Sequence, residues 1–356
     1  MQITTNWKHG LRQPGVLAAL GAALLFGGST PLAKWLLASV DPWLLAGLLY
    51  LGSGGGLSLY RLVRRAPKGR LAPGEWPWLA GAILAGGVVA PVLLMFGLTG
   101  MPAAGASLLL NAEGVFTALL AWFAFRENFD RRIALGMAAI VAGALVLSWP
   151  QEARLGSVWP ALAVLGACFA WGIDNNLTRK VALADATWIA AIKGVAAGGA
   201  NLALALWLGA TWPAVPNLAA ALSIGALAYG VSLALFVVGL RHLGTARTGA
   251  YFSVAPFFGA LLAIPLLGEA LDQRLLIAGA LMAVGVWLHL TEQHRHEHTH
   301  AALEHEHAHG HDPHHQHQHP HDEPIPSGQP HRHKHRHAPL SHAHAHFPDA
   351  HHRHDH

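Results

Sequence analysis

The chain has 356 residues, 53% of them hydrophobic and only 12% charged, with a mean hydropathy of +0.35. That is the composition of a membrane protein. The single Cys168 excludes an internal disulfide and a Cys-based zinc cluster, and the formal charge of +4 is explained by where the basic loops lie rather than by a nucleic-acid partner.

Ten apolar segments follow one another, each close to the about 20 residues that cross about 30 Å of hydrocarbon as helix. They run over 15–38, 42–62, 75–98, 102–124, 130–149, 156–179, 186–208, 216–240, 246–268 and 273–290. Alternation of period two is absent, which argues against a β-barrel. The first run follows Lys8 and Arg12 without a convincing cleavage site, so it reads as a retained helix and not as a removed signal. Within it, "FGGSTPLAK" sets Ser29 and Thr30 just before Pro31, which cannot donate to the helical ladder. Either an ordinary packed kink or a broken, cavity-lining helix follows from that. In the second run, "GSGGG" (Gly52 to Gly56) lies inside an apolar helix with no strand before it, which indicates close helix packing rather than a phosphate loop.

The fourth run, "SLLLNAEGVFTALL", carries Glu113 with Asn111 beside it. At 1.5 Å per residue Glu113 falls roughly 16 Å from the start of its helix, near mid-bilayer, where a charge is costly and usually functional. It reads as a proton or cation site lining a cavity, or as a structural carboxylate tied to a Lys or to neighbours such as Thr117 one turn on. In the sixth run, "WGIDNNLTRK" clusters Asp174, Asn175 and Asn176, with Thr178 on the Asp174 face. These are candidate substrate ligands or helix caps near the membrane surface. Lys193 on the next helix stands at a depth similar to Asp174, so the two can pair. Lys34, nearer the outer surface, can snorkel. Those four intramembrane charges sum to zero. His242 and His289 stand singly near helix ends and read as interfacial. No grouping of Ser, His and acid, and no close pair of intramembrane carboxylates, argues for an enzyme.

The chain repeats itself. Comparing "FRENFDRRIALGMAAIVAGALVL" with "LGEALDQRLLIAGALMAVGVWLH" shows Glu127, Asp130, Arg132 and Gly143 recurring at one constant spacing as Glu269, Asp272, Arg274 and Gly285. "GVF" before Thr117 likewise aligns with "PFF", and Ala118, Leu119 and Leu120 with Ala260, Leu261 and Leu262. Gly28 and Asp41 return as Gly172 and Asp185 at a nearly equal spacing. Five spans per copy is an odd number, so the second copy enters the membrane upside down. Inverted repeats of that kind build secondary transporters with a midplane site between the copies.

Two five-helix repeats, each with an apolar helix, a short loop with Glu near its start (Phe125-Arg126-Glu127, Leu267-Gly268-Glu269) and a Gly-rich last helix, resemble the EamA family of the drug/metabolite transporter superfamily. The resemblance covers about residues 15–290. It implies a ten-helix bundle with a central cavity, alternating access, and export of amino acids, metabolites or drugs. Pro256 in the ninth helix is family-like, whereas the matching position in the fourth is Gly114.

Orientation follows from the basic loops. With the N-terminus inside, the inner segments hold Lys8, Arg12, Arg61, Arg64, Arg65, Lys68, Arg70, Arg126, Arg131, Arg132, Arg179, Lys180, Arg241 and Arg247, and the outer loops only Arg154 and Arg274. Both termini are therefore expected in the cytoplasm of a bacterial-type inner membrane. Trp35, Trp43, Trp76, Trp78, Trp149, Trp159, Trp207 and Trp212 fall near span ends, as an interfacial belt requires.

After Leu290 the composition changes abruptly. All but three of the 27 His lie from His294 onward, in runs such as "HRHKHRH" and "HAHAH". With too little apolar surface to offset ordering entropy, residues 292–356 are expected to be disordered. Imidazole ligates Ni, Zn and Co, so His294, His296, His298, His300, His305, His307, His309, His331, His333, His335, His337, His342, His344 and His346 are candidate metal ligands in several exchangeable sites. A pH-sensing tail is a further reading.

The expected domains are a cytoplasmic segment 1–14, repeats 15–149 and 150–291, and the tail 292–356. The leading function is a secondary transporter exporting a small polar metabolite, coupled to protons, without a required cofactor and with a metal-buffering or metal-sensing tail. Its candidate substrate and proton residues are Thr30, Asn111, Glu113, Asp174, Asn175 and Lys193. Its partners are lipid, the small-molecule substrate and divalent metal, with a homodimer as one assembly. A divalent-metal transporter and a membrane-anchored metal-storage or sensing protein are the alternatives.

Overall fold

A computed structural model of the chain describes residues 14–67, 69–125, 131–148, 158–181, 184–243, 248 and 251–290, and in the tail 295–300, 303–309, 331–337 and 340–345. Up to Glu292 the chain forms one unit, separate from the tail unit that begins at Gln293.

All the regular secondary structure in the described residues of the first unit is helical. Helices α1 (Pro14–Leu36) and α2 (Pro42–Val63) are followed by α3 (Trp76–Ala82), a π-helical segment π1 (Ile83–Val89) and α4 (Ala90–Gly100), which run on without interruption. Next come α5 (Ala103–Leu109), α6 (Ala112–Phe125), α7 (Arg131–Ser148), α8 (Trp159–Arg179) and α9 (Ala186–Trp207). A second uninterrupted run comprises α10 (Val215–Gly225), π2 (Ala226–Val231) and α11 (Ser232–Leu243), and the unit closes with α12 (Ala255–Leu267) and α13 (Gln273–Leu290). Among the described residues, five stretches are long and apolar enough to cross a membrane: Pro14–Leu36, Pro73–Gly100, Ala103–Leu120, Ala186–Trp207 and Val215–Gly239. Much of the outer surface is apolar, as lipid requires: Leu62, Val63, Phe123 and Leu145 are exposed, as are Trp35, Trp76, Trp78, Trp159, Trp207 and Trp212 at helix ends. Trp149 lies outside the described residues.

The two halves start their second helices with the same device. Asp41 Oδ1 accepts the Trp43 and Leu44 N–H groups at 2.9 and 3.1 Å ahead of α2, and Asp185 Oδ1 accepts the Trp188 N–H at 2.9 Å ahead of α9. Each cap satisfies donors the helix itself leaves open. Packing repeats too. α1 lies on α11 as α4 lies on α8, α1 on α12 as α6 on α8, and α2 on π2 as α9 on π1. Two pairs, α2 with α9 and α7 with α13, join an element to its own counterpart, and α5 packs on α12.

Those joints rest on small residues that let backbones touch. A Cβ on Gly54 would stand 2.4 Å from the Val195 nitrogen of α9, and one on Gly225 would stand 2.1 Å from the Leu49 carbonyl oxygen of α2. The glycine run of the second span therefore serves close packing. At the α7–α13 joint the duplicated Gly143 and Gly285 meet the Ala278 and Gly136 carbonyls. Around these contacts sits one large core, including Leu44, Leu45, Leu48 and Leu49 of α2 with Met95 and Leu98 of α4.

Of the two readings of Pro31 the broken helix is not what forms, since Pro31 lies inside the single helix α1. The chain breaks instead at Leu110–Asn111, between α5 and α6, and at the corresponding turn Ser253–Val254 ahead of α12. Asn111 explains the first break, because its Nδ2 donates to the Leu108 carbonyl at 2.9 Å and so competes with the helical ladder.

The disorder expected of the tail is replaced, in its described residues, by paired strands. β1 (Arg295–His300) pairs antiparallel with β4 (Leu340–Ala345), and β2 (Leu303–His309) with β3 (His331–His337). The His-x-His spacing has a strand's period of two, and a ladder satisfies the backbone without needing an apolar core.

Candidate functional site

The intramembrane polar residues converge where α2, π1, α6, α8 and α9 meet. Pro91 is the starting point. It has no N–H to give to the carbonyls one turn back, so the Gly86 and Gly87 oxygens of π1 lack their usual partner. Three side chains from other helices supply donors: Tyr50 Oη to Gly86 at 2.7 Å, Trp171 Nε1 to Gly86 at 3.0 Å, and Asn201 Nδ2 to Gly87 at 2.9 Å. A π segment held open in this way is a common feature of functional sites.

Asp174 of α8 is packed directly on that segment: a Cβ on Gly86 would lie 1.9 Å from its Oδ2. Its Oδ1 receives Lys193 Nζ at 2.5 Å and the Thr178 hydroxyl at 2.8 Å, and Lys193 also reaches Thr178 Oγ1 at 3.1 Å. Both ionic side chains are largely enclosed, at 10% and 16% exposure, so this is a satisfied internal ion pair.

Glu113 is treated differently. It lies in the first turn of α6, just past the break, where its negative charge complements the helix dipole. Asn175 Nδ2 donates to Glu113 Oε1 at 2.8 Å and to Thr117 Oγ1 at 3.1 Å. Lys193 pairs with Asp174, so the tie to a Lys expected as one reading of Glu113 is not what forms; an amide, placed one residue beyond Asp174, takes that role. Asn176 pins the same two helices, donating to the Thr117 and Gly172 carbonyls at 3.1 and 2.9 Å. Gly114, next to Glu113, is exposed and has open space where a side chain would be.

Four of the six candidates, Glu113, Asp174, Asn175 and Lys193, thus form one continuous cluster. The other two do not join it. Asn111 is buried and committed to the helix break, and Thr30 is buried in α1 with no bond of the network passing through it. Its neighbour Ser29 donates to the Phe26 carbonyl at 2.6 Å and meets Tyr229 Oη at 3.3 Å, on π2. Lys34 caps the far end of α4 through the Leu98 and Thr99 carbonyls. The sequence reading did not include Tyr50, Trp171, Gly86, Tyr229 and Asn201. Pro91 preceded by a Gly pair was the available signal.

At one end of the bundle Arg61 donates to Asp185 at 2.6 Å, to Thr187, and to the Pro67 carbonyl at 2.6 Å. Burial pushes the Asp185 carboxyl up, but the Thr187 hydroxyl, the Trp188 N–H and the Arg61 guanidinium outweigh it and hold the group below the ordinary aspartate range. At the opposite end, Glu269 accepts the Ala103 and Ala104 N–H groups at 2.6 and 2.8 Å, joining the second repeat to the start of α5. Glu127 and Asp130 and the side chains of Arg132, His242 and His289 lie outside the described residues.

Among the described residues no group of three or more His, Cys, Asp or Glu side chains is arranged to hold a metal ion. In the tail, the register sets His296 opposite His344 and His298 opposite His342, and His305, His307 and His309 opposite His335, His333 and His331. His300 and His337 face Leu340 and Leu303 in the same ladders, while His294 and His346 lie outside the described residues.

Comparison with known proteins agrees with this architecture. The pattern of the EamA-like transporter family matches residues 13–149 and again 158–291. An uncharacterized transporter of Methanothermobacter thermautotrophicus is 28% identical over 295 residues, covering 77% of this chain and 85% of that protein. A probable amino-acid metabolite efflux pump of Salmonella typhimurium is 37% identical over 86 residues, 23% of this chain and 28% of the pump. The pump of the same description from Escherichia coli is 34% identical over 87 residues, again 28% of its length. A solved crystal structure superposes with a TM-score of 0.59 at 20% identity, over 76% of this chain and 95% of that one, and so shares the fold.

Proposed function

From the premise that this chain belongs to the EamA-like transporter family, we propose that it is a ten-helix secondary transporter of two inverted repeats that exports a small polar metabolite by alternating access. An amino-acid-sized solute fits the family and the description borne by the two efflux pumps that match part of the chain. The observation that carries the reading is the contrast between two neighbouring carboxylates. Asp174 is neutralised by Lys193, while Glu113 has a neutral amide as partner and sits at a helix break. Asp174 is then the fixed structural anion. Glu113 is the group that gains and loses a proton as the cavity opens to either side.

The solute binds between α6 and α8. Asn175 orients the Glu113 carboxyl and offers its amide, and Glu113 discharges when substrate leaves. The paired π segments and paired helix breaks supply the local irregularity that rocking requires, lying where the two repeats pack on one another. The Arg61 end faces the cytoplasm of a bacterial inner membrane, as the excess of basic residues in the loops on that side requires, and the Glu269 end faces outward. Both termini are then cytoplasmic.

The His ladders of the tail support its role as a cytoplasmic store or sensor for Ni, Zn or Co ions beside the transporter.

Counterflow of radiolabelled amino acids in proteoliposomes tests the proposal. Wild-type protein should accumulate label when a pH gradient is imposed. Glu113→Gln should bind and exchange label but lose gradient-driven accumulation. Undiminished accumulation by a well-folded Glu113→Gln protein would overturn the assignment of Glu113. Accumulation of radiolabelled Ni or Zn that survives removal of residues 292–356 would establish the metal-transporter reading instead.

A further inference from the structure

The Glu269 end of the bundle holds a cavity of about 520 Å³ whose lining includes neither Glu113 nor Asp174. That is the size of a small-molecule site. Its walls come from both repeats: the turn between α4 and α5 and the end of α7 on one side, and the start of α8 with the loop from Glu269 to Leu275 on the other. Met101 and Leu147 make the lining apolar, while Glu269, Asp272, Arg274 and Ser148 supply polar atoms.

Hydrogen-bond capacity in this cavity is tilted towards acceptors. Glu269 accepts two N–H groups from α5, at 2.6 and 2.8 Å, and Asp272 Oδ1 accepts the Leu275 N–H at 2.7 Å, capping α13. A carboxylate has about four lone-pair sites, so these bonds leave acceptor positions over on both. Ser148 Oγ is screened from solvent and has no hydrogen-bond partner, which marks a polar atom held ready for a guest. Two carboxylates and the guanidinium of Arg274 stand in the lining, and Lys34 at the same end spends its N–H donors on the Leu98 and Thr99 carbonyls while its charge acts on Glu269.

We propose that this cavity is a second ligand site, distinct from the Glu113 centre, and that it takes a small molecule carrying a primary ammonium on a short apolar body. The ammonium donates to the remaining lone pairs of Asp272 and Glu269 and to Ser148 Oγ, and the apolar body lies on Met101 and Leu147. An occupant bridges the two repeats beside the Glu269 contact that already joins them. The site does not depend on the transport role of Glu113.

Thermal unfolding of the full chain in lipid nanodiscs tests this, with substitutions in the cavity lining telling this site apart from the Glu113 centre. The probes are isopentylamine and its near-isosteric opposite in charge, isovalerate. Isopentylamine should raise the unfolding temperature saturably, and isovalerate should not. Asp272→Asn keeps an oxygen to cap α13 but lowers the charge, and should weaken the apparent affinity for isopentylamine at least tenfold. Leu147→Trp fills the cavity and should abolish the response; if that variant does not fold, Asp272→Asn decides. Equal responses to the two probes, no response to isopentylamine, or an unchanged affinity in Asp272→Asn would each overturn the proposal.

Discussion

Asp174 and Lys193 face each other at 2.5 Å in a largely enclosed setting, and their energetics depend on both being present. Lys193→Met strands the Asp174 charge and should destabilise the protein by about 3–5 kcal/mol, whereas replacing both partners together, Asp174→Asn with Lys193→Met, should recover most of that loss. Thermal unfolding of the two single variants and the double variant in detergent measures this directly. Glu113→Gln has no ion pair to break, so its melting temperature should stay close to wild type while coupled transport is lost. At Asp185 the sign of the pH effect follows from its depressed pKa. A lowered folded-state value stabilises the fold above the unfolded-state pKa of about 3.9, and that contribution fades as pH falls from there through the folded value. The difference in unfolding temperature between wild type and Asp185→Asn should accordingly be constant from about pH 5 to 8 and shrink below about pH 4. That these residues carry charge in a membrane was plain from their types; that Lys193 takes Asp174 and leaves Glu113 to Asn175 was not. Two acids lay within reach of one base, and only the packing of α6, α8 and α9 selects the pair.

Helices α2 and α9 touch backbone to backbone, and α2 meets α10 just as closely. Gly225→Ala would place a methyl 2.1 Å from the Leu49 carbonyl oxygen, and Gly54→Ala one 2.4 Å from the Val195 nitrogen. Overpacking of this kind costs about 1–3 kcal/mol. Both variants should unfold at lower temperature, while Gly55→Ala in the same run, with open space at its Cβ, should not. The glycine run announced its use in advance, because a glycine-rich stretch in an apolar span has few other purposes. The helix breaks were harder to place. Proline in α1 draws the eye, yet Pro31 is accommodated in a continuous helix, and the interruption falls at Asn111, whose amide closes on its own backbone. Pro91 acts one turn upstream of itself, in π1, where Tyr50, Trp171 and Asn201 take over the orphaned carbonyls. A missing donor is visible in a sequence; the side chains that compensate for it come from three other helices and are not.

As a whole, the molecule joins a duplicated helical unit to a histidine-rich tail, and each part has its own test. Reporter fusions near Gly10 and just after Leu290 should both report the cytoplasmic side, and opposite answers would rule out the inverted repeat. The full chain should retain several Ni or Zn ions after washing at pH 7.5 and release them as the pH is lowered towards 6, because protons displace metal from imidazole; a chain lacking residues 292–356 should retain none and remain folded. The duplication, the membrane character, the family and the metal-prone composition of the tail were all determined by sequence alone. Each is a property of residue types and their spacing along the chain, which three-dimensional contacts do not alter. Tertiary structure decided which charges pair, where the helices break, how the freed carbonyls are satisfied, and which of the tail's alternating histidines share a register position in paired strands. Those are choices among partners distant in sequence, and they are settled only when packing brings particular helices or strands side by side.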